Sequence, residues 1–275
     1  MLSKQNIERI FKEKLHKMAG INLIYQYAPF DIALNKIILK QTLRFADPST
    51  FDDPFDCNEH LLDVEMDKEI VKKYLDSPLM KSLDIDKERL VKDIYNPQVV
   101  AQQIRNNRTN YKFSCFSSEF KEVLLWSNHA DKHAGICVGF DFHFMDEDDF
   151  NLYPVDYVDE IERIDGTVDV FKIILYWINT KARKWKHEHE IRAISKAKST
   201  ADDYEYITYD KKHIKEIIFG CRVTDDQIKS VFSLIAGSII DVNEITFKRL
   251  FIEKSTFKLR EKEIKPIFKN RRSVL

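Results

Sequence analysis

The sequence predicts an α+β fold, a single domain with a central mixed, mostly antiparallel sheet flanked by helices. Three observations carry this. Strand-like runs of alternating or continuous apolar residues are interspersed with helix-periodic stretches along the chain. No internal repeat, low-complexity tract or linker divides it. At 275 residues it can bury a substantial core without disulfides or metals.

The elements follow in order. Ile7, Ile10, Phe11 and Leu15 mark one face of a helix over about residues 3–18, within an N-terminal helical segment 1–20. A strand Asn22–Tyr27, a helix Asp31–Leu39 and a strand Thr42–Phe45 come next. Pro48 and Pro54 keep Ala46–His60 irregular. A helical insertion at about 61–107 reads as helices 67–76 and 86–106, broken at Ser77-Pro78. A strand Tyr111–Phe116, a helix Glu119–Asp131 and strands Gly135–Asp141 and Leu152–Tyr157 follow. A helix over 167–184 then leads to a strand through Trp185–Arg192. The main domain, 21–247, ends with strands Tyr204–Tyr209 and Ile214–Phe219, a helix opened by the capping-box pair Thr224 and Gln227, and a strand Ser238–Phe247. Residues 248–275 read as a basic C-terminal tail.

The formal net charge of -1 conceals an asymmetry. Asp141 to Asp169 holds eleven acidic residues and one basic residue, whereas Lys248 to Arg272 holds ten basic and three acidic ones. Such a tail suits nucleic acid, an intramolecular clasp on the acidic stretch, or simply a solvated surface. Cys57, Cys115, Cys137 and Cys221 form no CxxC pair, which argues against a zinc knuckle or redox dithiol and for a cytoplasmic setting. No apolar run has the length of a membrane span, so no membrane partner is expected.

Four segments carry candidate chemistry. In Phe51-Asp52-Asp53-Pro54-Phe55-Asp56, aspartates around a proline suit a tight turn, the reading favoured for Asp52, while Asp53 and Asp56 are open to ligand contact. Phe51 and Phe55 would anchor that loop. In Phe113 to Ser118, hydroxyls at a strand-to-helix junction suit an N-cap or an anion site, and no G-x-S-x-G elbow is present. Around Trp126, His129 and His133 stand four apart on one predicted helix face. They lack the glutamate of H-E-x-x-H, and no metal is assigned to them. Trp126 could stack on a planar ring or belong to the core. The fourth segment is Trp185 to Arg192, with Lys181 and Trp185 itself on the predicted helix that leads into it. As a strand it sets Glu188, Glu190 and Arg192 on one face, where charge is costly unless partnered or used.

These segments resemble a known family. The spaced residues Tyr25-x-Tyr27, Thr42-Leu43-Arg44-Phe45, Phe51-x-Asp53-Pro54-Phe55-Asp56, Cys115-Phe116-Ser117 and Trp126-Ser127 carry the likeness. So do Ala130-Asp131, His133-x-Gly135, Trp185-x-x-Glu188-x-Glu190-x-Arg192 and Ile217-x-Phe219-Gly220. The pattern is similar to the bacterial domain-of-unknown-function family 2971 (DUF2971) from about Tyr25 to Asp225. That family brings no established activity and occurs at times in defence-like settings, which implies a toxin or phage-defence effector. The chain departs from it at Asp52, usually Asn, and at Asn128-His129, usually His-Tyr. The first departure supports a turn role and the second weakens metal ligation.

The motif order also looks like that of ADP-ribosyltransferases: an early strand Arg, a central strand Ser, then a late Glu-x-Glu. That resemblance implies NAD as substrate. Glu190 would stabilise an oxocarbenium-like state, Glu188 would orient the acceptor and Arg44 would hold the pyrophosphate. Ser117 with Trp126 or Tyr27 would position the nicotinamide. Two further readings stand beside it. One is a metal-dependent nuclease or phosphoesterase using Asp53, Asp56, Glu188, Glu190 and His133. The other is a non-catalytic ligand- or nucleic-acid-binding module in which arginines close off these carboxylates.

Overall fold

The computed structural model describes residues 1–142, 150–166, 168–236 and 242–266. The chain opens with α1 (Lys4–Ala19), β1 (Ile24–Ala28), a turn α2 (Phe30–Ile32) that widens into a π-helix over Ala33–Leu39, and β2 (Thr42–Ala46). Then come β3 (Val64–Glu65), α3 (Lys68–Leu75), α4 (Pro78–Ser82), α5 (Lys87–Ile94), α6 (Pro97–Arg108) and β4 (Tyr111–Ser117). The middle holds α7 (Val123–His129), β5 (Ile136–Phe140), β6 (Asn151–Pro154), β7 (Asp156–Val158), β8 (Ile164–Asp165), α8 (Val170–Ile178) and β9 (Thr180–Ala182). The chain continues through β10 (Glu190–Lys196), β11 (Tyr204–Thr208), β12 (Ile214–Phe219), α9 (Asp225–Ala236), β13 (Thr246–Ile252) and β14 (Leu259–Glu263).

One ten-stranded sheet organises the α+β domain. Its order is β11-β2-β4-β1-β5-β12-β13-β14, with β10 also on β4 and β6 on β10. Its pairs are antiparallel except β12 with β13. Strand β4 is the branch point. Along one edge it pairs with β10 from Tyr111 to Ser117, while its other edge is shared, Phe113 opposite Ala46 of β2 and Ser117 opposite Tyr25 of β1. Successive side chains alternate between faces. One face sends Leu43, Phe45, Phe116, Ile191, Ala193 and Ile207 into the main core, where they meet Leu34, Ile37 and Ile38 of the π-helix and Val231 and Ile235 of α9. The other face carries Arg44, Ala46, Phe113, Cys115, Ser117, Glu190 and Arg192. A second core of Ile104, Ile174, Leu175, Trp177, Ile178, Phe113 and Ile194 covers part of it.

The predicted class holds, and so does the capping box: the Gln227 N–H donates to Thr224 Oγ1 and the Thr224 N–H to Gln227 Oε1. Several elements differ from expectation. Helix α8 stops at Ile178, not 184, because Asn179 Nδ2 donates to Leu175 O (2.8 Å) and Thr180 Oγ1 to Tyr176 O (2.7 Å), occupying its last carbonyls. Pro97 starts α6 as a separate helix capped by Asn96, and α7 is shorter than Glu119–Asp131. The 152–157 strand is two strands that pair with different partners. Leu15 of α1 is exposed; Lys14 takes the inward position instead. The stretch read as a tail from residue 248 begins as the β13–β14 hairpin, and there Lys248 pairs with Glu216 and Arg249 with Asp225. The start of the predicted 238–247 strand, the acidic stretch 143–149 and the tail from 267 onward lie outside the described residues. Among the described residues no helix is long and apolar enough to cross a membrane.

Lys14 ties α1 to the sheet. Its ammonium donates to Pro154 O (2.6 Å) and pairs with Asp156 (2.8 Å), within reach of Asn179 O (3.4 Å). Burial pulls its pKa down to about 8, although Asp156 opposes the shift. Between about pH 8 and the unfolded value near 10.5, the unfolded chain therefore binds more protons at Lys14 than the folded one. Stability from this group rises with pH across that window, by up to about 1.4 kcal/mol per pH unit. Urea melts of wild type and Lys14→Met should show wild type gaining on the variant from pH 8 to pH 10; a difference independent of pH would contradict the assignment.

Candidate functional site

A cavity of about 720 Å³ opens on the sheet face that carries Arg44, Cys115, Ser117 and Glu190. That volume suits a small-molecule ligand. Four chain segments wall it: β1, the irregular stretch after β2, the end of α7, and the turn before β10.

Arg192 stands on the same sheet face but does not line the cavity, and it is fully buried. Its Nε donates to Glu190 Oε1 (2.8 Å) and its Nη2 to Asp56 Oδ2 (2.6 Å). Nη1 donates to Ile178 O and reaches Cys57 Sγ (3.2 Å), and the guanidinium sits 5.8 Å from the Phe51 ring centre. Arg108 holds the same irregular stretch from behind, through Cys57 O and Asp47. Lys181, from β9, reaches Glu188 (2.5 Å), Glu190 (3.0 Å) and Asp56 (3.5 Å), and the Trp185 ring lies 5.0 Å from its ammonium. Three carboxylates thus meet two cations, leaving one negative charge in excess when all are ionised.

The Glu-x-Glu segment is not one continuous strand. Arg183–Glu188 forms 3₁₀ turns, His189 adopts φ 46°, and β10 begins at Glu190. The left-handed residue turns the chain so that both glutamates reach Lys181. Lys181 and Trp185 accordingly sit on a strand and a 3₁₀ turn rather than on a helix. Ser117 fixes this geometry. Its hydroxyl donates to Glu188 O (2.6 Å) and accepts from the Glu119 N–H (3.0 Å), so it positions the Glu188 backbone. The Glu190 N–H donates to the Tyr157 hydroxyl (2.8 Å).

The two glutamates differ electrostatically. Burial would raise the Glu190 carboxyl, but Arg192 and Lys181 outweigh it and hold that carboxyl well below the usual range. At Glu188 burial prevails over Lys181, and the neighbouring Glu190 charge adds to it, so that carboxyl is raised. Burial also favours neutral His129, with Lys181 acting in the same direction.

Other predicted residues divide between the cavity and the scaffold. Tyr27, Arg44, Asp53, Asp56, His129 and Trp185 line the cavity, as do Glu188, Glu190, Ser117 and Lys181. Arg44 stacks its guanidinium 4.8 Å from the Tyr204 ring centre, and among the described residues no carboxylate pairs with it. The turn role expected of Asp52 belongs to Asp53, whose Oδ1 accepts from the Phe55 N–H (2.9 Å). Phe51 packs edge-on to Phe113, whereas Phe55 is exposed and anchors nothing in the core.

Trp126 and His133 do not line the cavity. Trp126 is fully buried, donates Nε1–H to Phe120 O (2.7 Å) and stacks on His133. The two histidines share no helix face, since α7 ends at His129 and Asp131, Lys132 and His133 all have positive φ. This left-handed turn wraps Trp126, and a Cβ at Gly220 would lie 2.2 Å from His133 O and 3.0 Å from the indole. The Trp126, His133 and Gly220 motif positions are thus a structural unit. Sequence reasoning missed Cys57, Tyr157 and Phe51 as partners of Arg192 and Glu190, and the contact of Tyr204 with Arg44. Only the aromatic pair Tyr204 and Tyr206, alternating on a strand, left a readable signal.

No protein-family model, curated protein or solved structure matches the chain.

Removing Arg192 leaves Lys181 alone against Asp56, Glu188 and Glu190, so Arg192→Ala should lower unfolding stability by about 3–5 kcal/mol in chemical denaturation. Exposed Arg44→Ala should change it by less than about 0.5 kcal/mol. Equal stability of the two variants would remove Arg192 as the buried strut.

Proposed function

We propose that this chain is an enzyme that cleaves the N-glycosidic bond of NAD and passes the ribosyl group to an acceptor, as ADP-ribosyltransferases do. One observation carries the reading: the cavity is polarised. Arg44, which among the described residues has no carboxylate partner, stands on β2, and the carboxylate excess of Glu188 and Glu190 lies at the start of β10, across β4 on the same sheet face. Two interstrand spacings separate these columns, roughly 10 Å. NAD has the matching order of charge, an anionic pyrophosphate, then a ribose, then a cationic nicotinamide.

In this reading Arg44 holds the pyrophosphate. As the C1′–N bond breaks, the bonding pair leaves with nicotinamide, and positive charge spreads over C1′ and the ribose ring oxygen. Ionised Glu190, fixed by Arg192 and Lys181, stabilises that charge without reorganising. Glu188, the more basic carboxylate, takes the proton of the attacking acceptor as the new bond to C1′ forms. Tyr27 and Trp185 offer ring surfaces to the nicotinamide.

The order Arg44, Ser117, Glu190 supports the likeness to ADP-ribosyltransferases, since their strands β2, β4 and β10 are neighbours. The resemblance to the domain-of-unknown-function family 2971 gains from the convergence of Tyr27, Arg44, Asp56, Ser117, Glu188 and Glu190 on one cavity, and an effector role in bacterial defence fits such chemistry. Four unpaired cysteines suit a reducing cytoplasm. A phosphoesterase would need a dication among Asp56, Glu188 and Glu190, where the Lys181 ammonium already lies.

Purified protein incubated with NAD and protein, nucleic-acid or water acceptors should release nicotinamide. Glu188→Gln should slow release by about 10²–10⁴-fold, and Arg44→Ala should chiefly raise KM. No release with any acceptor, or an unchanged rate in Glu188→Gln, would contradict the reading.

A further inference from the structure

We propose that the exposed face of β11 is a base-binding subsite, on which the purine of a dinucleotide stacks against Tyr206 and Tyr204 while its phosphates meet Arg44. This rests on the nucleotide reading of the cavity and extends the ligand onto a surface outside it.

The register sets the geometry. Tyr206 lies opposite Arg44 and Tyr204 opposite Ala46, so both rings stand on the cavity face of the sheet, one strand beyond Arg44. The opposite face of β11 explains its packing without them, because Ile207 and the following Tyr209 are buried in the core. The two tyrosines are 49% and 44% exposed, large aromatic surfaces on an edge strand with no core to fill. Their rings meet edge to face at 5.8 Å. A cation caps each: Arg44 lies 4.8 Å from the Tyr204 centre and Lys36 5.5 Å from that of Tyr206. Among the described residues neither cation has a carboxylate partner. Two ring surfaces beside two uncompensated cations match a ligand that is planar at one end and anionic next to it.

The spacing narrows the ligand further. From β11 to β10 there are three interstrand steps, roughly 14 Å. A base on Tyr206 and a glycosidic carbon at Glu188 therefore belong to different nucleoside halves, with the linking phosphates between them at Arg44. A long single strand fits less well, because Asp202, Asp203 and Asp210 flank the tyrosines and interrupt a cationic track.

Calorimetric titration of ADP-ribose, nicotinamide mononucleotide and a single-stranded RNA oligomer into wild type, Tyr204→Ala/Tyr206→Ala and Tyr206→Phe tests this. ADP-ribose affinity should fall roughly 5- to 100-fold in the double alanine variant. It should persist in Tyr206→Phe, which keeps the ring, and nicotinamide mononucleotide should bind wild type and double variant alike. No ADP-ribose binding to wild type, no loss in the double variant, or an equal loss for both nucleotides would overturn the subsite. So would tyrosine-dependent binding confined to the RNA. Tyrosine-dependent ADP-ribose binding without any nicotinamide release from NAD would uphold the subsite while removing the glycosidic reaction.

Discussion

The buried guanidinium of Arg192 is the constraint on which the rest of the site depends. A cation without solvent contact survives only where its donors are matched, and here the partners come from three places. Glu190 is two residues away on the same strand, Ile178 ends α8, and Asp56 and Cys57 belong to the irregular stretch after β2. Satisfying one side chain therefore fixes the sheet, a helix terminus and a loop in one arrangement. That loop has little regular structure to hold it otherwise. Its order derives from Arg192 on one side and Arg108 on the other.

Consequences for the cavity follow from charge counting. Arg192 spends itself on Asp56 and Glu190, and Lys181 is shared among three carboxylates, so Glu188 is the least compensated. Glu190 becomes a fixed negative charge and Glu188 a carboxyl with raised proton affinity. Two similar residues, two positions apart, acquire different chemistry because one sits against a guanidinium and the other does not. The sequence likeness had assigned charge stabilisation to Glu190 and orientation of the acceptor to Glu188. In the proposed reaction Glu190 keeps that role and Glu188 takes the acceptor's proton.

Much of this was legible in the sequence, where local pattern governs local structure. Alternation located the strands of the sheet, and the Thr224 and Gln227 spacing located a helix start. Spaced motifs marked Arg44, Ser117, Glu188 and Glu190, which line one cavity. What failed lay in side-chain bonding that apolar periodicity and motif spacing do not record. Asn179 and Thr180 end α8 by bonding its carbonyls, an event that apolar periodicity in 167–184 does not register. Lys14 occupies a core-facing position that helical periodicity marks, yet its partners lie 140 residues or more away, so the pattern alone favoured Leu15. Trp126 and His133 carried a motif as specific as the glutamates, but it encodes a left-handed turn around an indole. Motif spacing reports that residues matter together and is silent on whether they matter to a ligand or to the fold.

The central claim is that Arg192 fixes the charge of Glu190 while leaving Glu188 able to gain a proton near the cavity. Carbon-13 NMR titration of side-chain carboxyl signals, assigned with Glu188→Gln and Glu190→Gln, measures this directly. The account predicts that Glu188 titrates above the ordinary glutamate range and that Glu190 stays ionised well below it. Coincident midpoints, or Glu190 taking its proton first as pH falls, would contradict it.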